Sequence, residues 1–578
     1  MLDYLITGAT IVDGTGAAPH RGDVGIRDGR IVVLDEGAAG GREPASRVID
    51  AEGLVLAPGF IDPHTHYDAQ LFWDPLATPS NVHGVTTVIG GNCGFTLAPL
   101  HAEDADYTRR MMARVEGMPL AALENGVRWG WESFAEYLER LDGGAIGVNA
   151  GFLVGHCAIR RYVMGEDAVG GQPSGAQLAD MARVLSESIE AGGLGLSTTL
   201  SHTHSDGDGK PVASRWAERD ELLTLCRAVG QHEGTTLEGI VSGCLDTFSD
   251  AEIDLLVSMS VEARRPLNWN VLTVDSRAPD RITRQLSASN AAEAAGGRIV
   301  ALTMPALVPM NMSFLTYCAL NLIPGWGDIL SLPVPDRIAK LRDPSVREEM
   351  MRRANSPEAG VLRRLADFDH YVIGDTFSAA NEGLKGRVVA ELAKERGRPA
   401  FETLIEIVTE DGLRTVLWPM PPDNDPETWE LRRQVWGDER ALLGGSDAGA
   451  HLDRMCGAPY TTRFVGDMIR GRQLVPLEEA VQLITDAPAR LFGLKGRGRI
   501  SPGYWADLVV FDPATVGADD ATLVRDLPGG AARLTAGSRG VVRVLVNGVE
   551  TVVDGGPTGS TPGTLLRSGR DTDTVSTA

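Results

Sequence analysis

No stretch of the 578 residues approaches 18 consecutive apolar positions, so no membrane-spanning helix is expected. The N-terminal segment MLDYLITGATIVDGTG lacks the basic patch, apolar core and small-residue cleavage site of a secretory leader, which makes the cytoplasm the default location. Cysteine is sparse: six residues, at 93, 157, 226, 244, 318 and 456, with no CxxC pair, which argues against a disulfide framework or a zinc ribbon. Positive charge is short. With 54 basic against 78 acidic residues, the net charge of −24 repels nucleic-acid phosphates and anionic membranes alike, so neither is an expected partner. Lysine contributes only five residues, at 210, 340, 385, 394 and 495. What is present, 43% apolar residues and 68 glycines, describes a soluble globular chain rich in turns, long enough for several domains or one large barrel with additions.

Residues 2–52 read as short strands broken by Gly/Asp turns, and the pattern returns at 498–513 (GRISPGYWADLVVFDP) and 541–556 (VVRVLVNGVETVVDGG). The two β-rich ends, 1–55 and 497–556, are expected to pair into one small sheet domain. Between them, apolar runs alternate with amphipathic stretches, the pattern of a parallel sheet with crossover helices. There are eight such runs, 54–62, 85–91, 147–154, 193–198, 235–240, 266–273, 298–304 and 441–446, the strand number of a (β/α)8 barrel spanning 56–490. Helices are expected at 174–191 and 218–233, among others. The gap at about 305–440 is too long for a crossover and reads as an inserted helical subdomain. The polar tail 568–578 (SGRDTDTVSTA) reads as disordered.

Pro63-His64-Thr65-His66 follows the first run. In an extended strand residues i and i+2 project to one side, so both imidazoles can reach one metal ion on the rim where barrels carry their chemistry. The alternative is a pair of satisfied structural histidines. Gly90-Gly91-Asn92-Cys93-Gly94 ends the second run, where a thiolate faces the same mouth and can bind or bridge metal; the alternative is a buried free cysteine. Gly444-Gly445-Ser446-Asp447-Ala448-Gly449 ends the eighth. A carboxylate at its tip can take a proton from metal-bound water and return it to a leaving amine, whereas a lone Asp in a turn is usually a cap.

Taken together, HTH after the first strand, GNCG after the second, VGH at 154–156 and GSD after the eighth resemble the D-aminoacylase branch of the amidohydrolase superfamily. Residues 381–413, 487–513 and the terminal NG…DGGPTG…PGTLLR resemble it too, so the similarity covers nearly the whole chain. The resemblance implies an α/β fold with a TIM-type barrel and a small β-sandwich built from both termini, zinc, an N-acyl amino acid or related amide substrate, and Asp447 as general base. Many superfamily members bridge two metals with a carboxylated lysine on the fourth strand. Here that strand, GLGLST, has no lysine, Lys210 lies in the loop SDGDGKP, and the branch implies Cys93 as the substitute.

The family pattern expects a metal histidine on the fifth strand and another on the sixth, where this chain has Leu237-Glu238-Gly239 and Leu267-Asn268-Trp269-Asn270. Glu238 either ligates zinc or is a buried carboxylate paired with arginine; Asn268 and Asn270 are weak ligands better suited to hydrogen-bonding substrate. One strongly held zinc is expected, with a second metal left open. The branch's His-Pro-Arg stretch, which holds the substrate carboxylate, is absent from HLDRMCGAPYTTR at 451–463, leaving Arg454 or Arg463 for that role. His156 is read as a substrate-orienting or supporting residue, and His451 as a partner of Asp447 or of substrate. His202 and His204 form a second HxH in a polar loop, and the remaining histidines are read as structural. The expected enzyme cleaves a carbon–nitrogen bond of a small-molecule amide by attack of metal-bound hydroxide. His64, His66, Cys93, Glu238 and Asp447 are its metal-site residues, and Asp447 is its general acid/base. Cyclic-amide opening or deamination on the same barrel is the alternative reaction, a non-catalytic scaffold the alternative class, and homo-oligomerisation stays open.

Overall fold

The computed structural model describes residues 1–35, 43–316, 318–421 and 423–577. Leu2–Ile11 is the strand on which a nine-stranded sheet is built. It pairs antiparallel with His20–Arg27 and parallel with Ala45–Asp50 and Val55–Pro58. Val55–Pro58 pairs antiparallel with Leu508–Phe511, which in turn carries Val541–Val546 and Val549–Val553. Sequence-distant segments thus share one sheet and one core, including Ile6, Ile11, Val24, Leu56, Leu508 and Leu545. Hydrogen bonding runs continuously through the nine strands rather than through two separate sheets. Within 514–540 the short strands pair among themselves, Gly517–Ala518 with Ser538–Arg539 and Thr522–Val524 with Arg533–Thr535.

The apolar run 54–62 is two strands. Val55–Pro58 belongs to the terminal sheet; after Gly59, where a Cβ would collide with the Thr86 side chain, Phe60–Asp62 (β1) opens the central set. Val85–Gly90 (β2), Asn149–Phe152 with its continuation Val154–Gly155 (β3), Gly195–Thr199 (β4), Thr236–Ile240 (β5), Leu267–Trp269 (β6), Ile299–Thr303 (β7) and Ala441–Leu443 (β8) follow. Every pairing among them is parallel, with β1-β2-β3 in one arc and β3-β4-β5-β6-β7-β8 in another. Beyond the strand ends, Thr65 bridges Ala448 in parallel and the His66 N–H donates to the Ala448 carbonyl at 2.7 Å, tying the chain after β1 to the chain after β8. Parallel strands covered on both faces need uninterrupted apolar or small residues, and β2, β4, β5 and β7 are buried at every position.

Local signals set the crossover helices. Gly175–Glu190 begins at Ser174, whose hydroxyl accepts from the Gln177 N–H while the Gln177 side chain accepts from the Ser174 N–H, and Asp250–Ala263 begins at Ser249 with Glu252 in the same reciprocal arrangement. The helix expected at 218–233 is the shorter Arg219–Val229, ending at Gly230, where a Cβ would press on the Ala263 carbonyl. None of the described helices is long and apolar enough to cross a membrane.

Leu307–Pro426 is a second compact unit. Trp326, Phe368, Tyr371 and Phe401 centre its core, with the Phe368 and Phe401 rings 5.0 Å apart, among helices that include Val334–Arg342, Pro344–Ala354 and Ala400–Glu410. It ends earlier than 440 because helix Pro426–Trp436 sets Trp436 edge-on against Phe464, at 5.3 Å, in the first unit. The tail expected to be disordered is docked instead. Thr572 Oγ1 donates to the Gly234 carbonyl at 2.7 Å, the Gly234 N–H donates to Thr574 Oγ1 at 2.8 Å, and the Asp573 N–H donates to the Gly493 carbonyl at 2.8 Å. Polar residues need partners, not necessarily water, and here the backbone at Gly234 and Gly493 supplies them.

Candidate metal centre

Just beyond the C-terminal ends of β1, β2 and β8 four side chains converge. The ligand atoms of His64, His66 and Cys93 lie within 4.8 Å of one another, all buried. His64 Nε2 is 3.6 Å from Cys93 Sγ, and Asp447 Oδ1 is 3.3 Å from His64 Nε2 and 3.6 Å from His66 Nε2. In a tetrahedral site with Zn–N and Zn–O bonds near 2.1 Å, neighbouring donors are separated by about 3.4 Å, and a nitrogen and a sulfur by about 3.6 Å. The three separations at His64 and His66 match those between ligands of one ion.

Cys93 and Asp447 both hold left-handed backbone, at φ 56° and 53°. Non-glycine residues stay there only where the surroundings over-determine them. At Cys93 the backbone N–H donates to Glu238 Oε2 at 2.8 Å and the next N–H, of Gly94, to Ser197 Oγ at 3.0 Å. Around Asp447, the Ser446 hydroxyl donates to Asp62 Oδ2, the Ser446 N–H donates to Asp62 Oδ1 at 3.3 Å, and the Ala448 N–H donates back to Ser446 Oγ at 3.0 Å. Gly449, at φ 94°, packs so tightly on the His66 carbonyl that a Cβ would collide with it.

Glu238 and Asn268 are register partners on β5 and β6. Glu238 takes the Cys93 backbone N–H as its partner, not an arginine. Asn270 brings its amide nitrogen to 3.5 Å from His64 Nε2, while Asn268 Nδ2 donates to the Leu237 carbonyl at 3.1 Å. His156 is held by partners within the protein. Its Nδ1 is 2.9 Å from Thr198 Oγ1 and its Nε2 is 2.7 Å from Glu221 Oε1, whose other oxygen accepts from Arg160, so a fully buried ring has both nitrogens occupied. His451, at φ 49°, is fixed through its N–H, which donates to the Glu116 carbonyl at 2.5 Å; Arg454 lies beside it with Nε donating to Asp453 Oδ1 at 2.9 Å. Arg463 instead donates to the Asp519 carbonyl at 3.2 Å. His202 is exposed, and His204 packs on Phe95 with Nδ1 2.8 Å from Thr199 Oγ1.

Three contributors escape sequence reasoning. Asp62 and Ser446 stand inside the motifs already singled out, and their adjacency to His64 and Asp447 is the signal that could have found them. Glu116, between helices Ala105–Val115 and Leu120–Gly126, carries none; its Oε2 is 3.5 Å from His66 Nε2.

Among the described residues, buried oxygens without a partner gather here: Glu238 Oε1, Asn268 Oδ1, Asn270 Oδ1 and Asp68 Oδ1. Burial pushes the carboxyl of Glu238 up to about 8, of Glu116 to about 7 and of Asp68 to about 6, and it pushes the Cys93 thiol well above its ordinary value. At His66 burial opposes the charged form, but Glu116, Asp447 and Asp68 outweigh it and raise the imidazole to about 9. Burial likewise works against the Asp447 carboxylate, and hydrogen bonds from His64 and His66 override it, holding the group well below the usual carboxylate range. Unmet acceptors and crowded acids around two imidazoles and a thiol are the surroundings of a cation, and the residues fit a divalent ion.

A parallel α/β fold with this donor set beyond its strand ends is of the metal-dependent hydrolase class. The chain belongs to the amidohydrolase family, whose model matches residues 47–556, and within it to the D-aminoacylase branch. It is 30% identical over 577 residues to the N-acyl-D-glutamate deacylase of Alcaligenes xylosoxydans xylosoxydans, spanning 98% of this chain and 96% of that one. The crystal structure of D-aminoacylase matches with a TM-score of 0.64 at 26% identity, covering 98% of this chain and all of that one. The N-acyl-D-glutamate deacylase of Bordetella bronchiseptica, solved with zinc and a phosphonate mimic of the tetrahedral intermediate, matches with a TM-score of 0.62 at 25% identity over 98% of this chain and all of that one.

Proposed function

We propose that the protein hydrolyses the amide bond of an N-acyl amino acid or a related small amide, in the mouth of a (β/α)8 barrel. The observation that carries this reading is the ligand-like spacing of His64, His66, Cys93 and Asp447. Support for the barrel comes from two parallel arcs that share β3 and meet again just beyond β1 and β8. His64, His66 and Cys93 would hold zinc, with Glu238 offering its unpartnered oxygen. When bound, such an ion supplies Lewis acidity toward water and the amide carbonyl. Asp447, whose side chain is 26% exposed, faces the mouth and receives the proton of the attacking water, then delivers it to the departing nitrogen. Asn270 hydrogen-bonds the substrate, and His451 with Arg454 meets its carboxylate at the rim.

The test is elemental analysis of the purified protein, joined to a hydrolysis screen over acylated D- and L-amino acids, capped peptides and cyclic amides. One tightly held zinc per chain and turnover of an acylated amino acid are expected, with both lost in His64→Ala. Full metal and turnover in that variant, or no metal in the native protein, would overturn the reading.

A further inference from the structure

Glu116 lies on none of the central strands, yet its carboxyl reaches the cluster. It is buried, and its Oε2 stands 3.5 Å from His66 Nε2, a separation matching that between Asp447 and the same nitrogen, 3.6 Å. Which nitrogen it meets is decisive. A carboxylate that merely orients a metal-binding histidine approaches the ring nitrogen turned away from the ion. At His66 that nitrogen is Nδ1, which is buried and has no partner among the described residues. Glu116 instead shares the Nε2 side with Asp447, the side that faces the cluster.

The backbone holds the carboxylate in place. The Glu116 carbonyl accepts the His451 N–H at 2.5 Å, and Gly117, at φ 56°, passes so close beneath His451 and Arg454 that a Cβ would sit 3.0 Å from His451 Nδ1 and 2.8 Å from Arg454 Nη2. A side chain would have to displace both. The loop is therefore locked to the same 444–451 segment that carries Asp447.

We propose that Glu116 is a metal ligand, its carboxylate binding the ion from the His66 side and adding to the tight group of His64, His66 and Cys93. This rests on the metal-dependent reading above. The experiment is zinc competition against a chromophoric chelator with full-length native protein and Glu116→Gln, which keeps size and hydrogen bonding but removes the charge. The variant is expected to bind zinc at least about tenfold more weakly. Equal affinity would overturn the proposal and leave Glu116 as an ion-pair partner of His66. A crystal structure of the zinc-loaded native protein decides the matter even if the variant does not fold: a Glu116 oxygen at about 2.0–2.2 Å from the ion is expected, and one outside its coordination shell refutes the assignment. Native protein that takes up no zinc fails the functional reading and this one together, whereas tight zinc in both native protein and variant fails this one alone.

Discussion

Ser446→Ala tests whether the pair of Asp62 and Ser446 positions Asp447 or only stabilises the fold. The substitution removes a hydroxyl that donates to the fully buried Asp62 and accepts from the Ala448 N–H at 3.0 Å. Asp62 keeps donors from the Ser446 and His64 backbone, at 3.3 and 3.4 Å, both long. Burial already lifts its carboxyl to about 6 against those bonds, so it has little to spare. Losing a hydrogen bond to a charged acceptor and one between neutral groups costs together about 2–4 kcal/mol. The 444–451 segment would also lose a tether next to the left-handed Asp447, and a misplacement of about 1 Å at a catalytic group is worth about 10²-fold in rate. Unfolding followed by circular dichroism, zinc content and kcat on the best amide of the screen are measured on one preparation. Lower stability with zinc retained and kcat down by one to two orders of magnitude is expected, on the order of that positioning effect. Lower stability with unchanged kcat would refute the positioning argument, and no change in either would refute the hydrogen-bond geometry itself.

Asp447→Asn keeps the side chain's size but cannot carry the proton, so kcat should fall by at least about 10²-fold with a smaller change in KM, provided zinc is shown to be retained; near-native turnover would make Asp447 a structural cap. His83 is buried, with Nδ1 2.7 Å from Thr462 Oγ1 and Nε2 3.0 Å from the Ala536 carbonyl, and burial lowers its pKa from 6.5 to about 4. The unfolded chain therefore takes up this proton first as pH falls, and about 3 kcal/mol of stability drains away between pH 6.5 and 4. His83→Gln should remove this contribution from the pH dependence of unfolding, and an unchanged slope would show that other groups set it. Deleting residues 569–578 removes the Thr572, Asp573 and Thr574 hydrogen bonds and should lower stability by about 1–4 kcal/mol, read by denaturant unfolding; a truncated protein as stable as the native one would contradict the docked tail.

How much of this was legible follows from how local each signal is. The eight apolar runs located the central strands because burial on both faces demands continuous apolar or small residues, and Ser174 and Ser249 marked helix starts because capping involves neighbours in the chain. The His64–Thr65–His66 alternation pointed to a shared ion for the same reason, since strand geometry alone puts both rings on one side. The sequence by itself thus brought His64, His66, Cys93 and Asp447 forward as candidates at the strand ends. Tertiary structure decided the rest. Whether His156 orients substrate or supports the fold depends on Thr198 and Glu221, on other elements. Docking of the polar tail needed the Gly234 and Gly493 carbonyls, which no pattern within the tail announces. Glu116 reached His66 only because a left-handed glycine bends its loop against the segment after β8. Hydrogen-bond partners and donor atoms brought together from distant segments are set by the path of the whole chain, whereas periodicity and capping report only the few residues on either side.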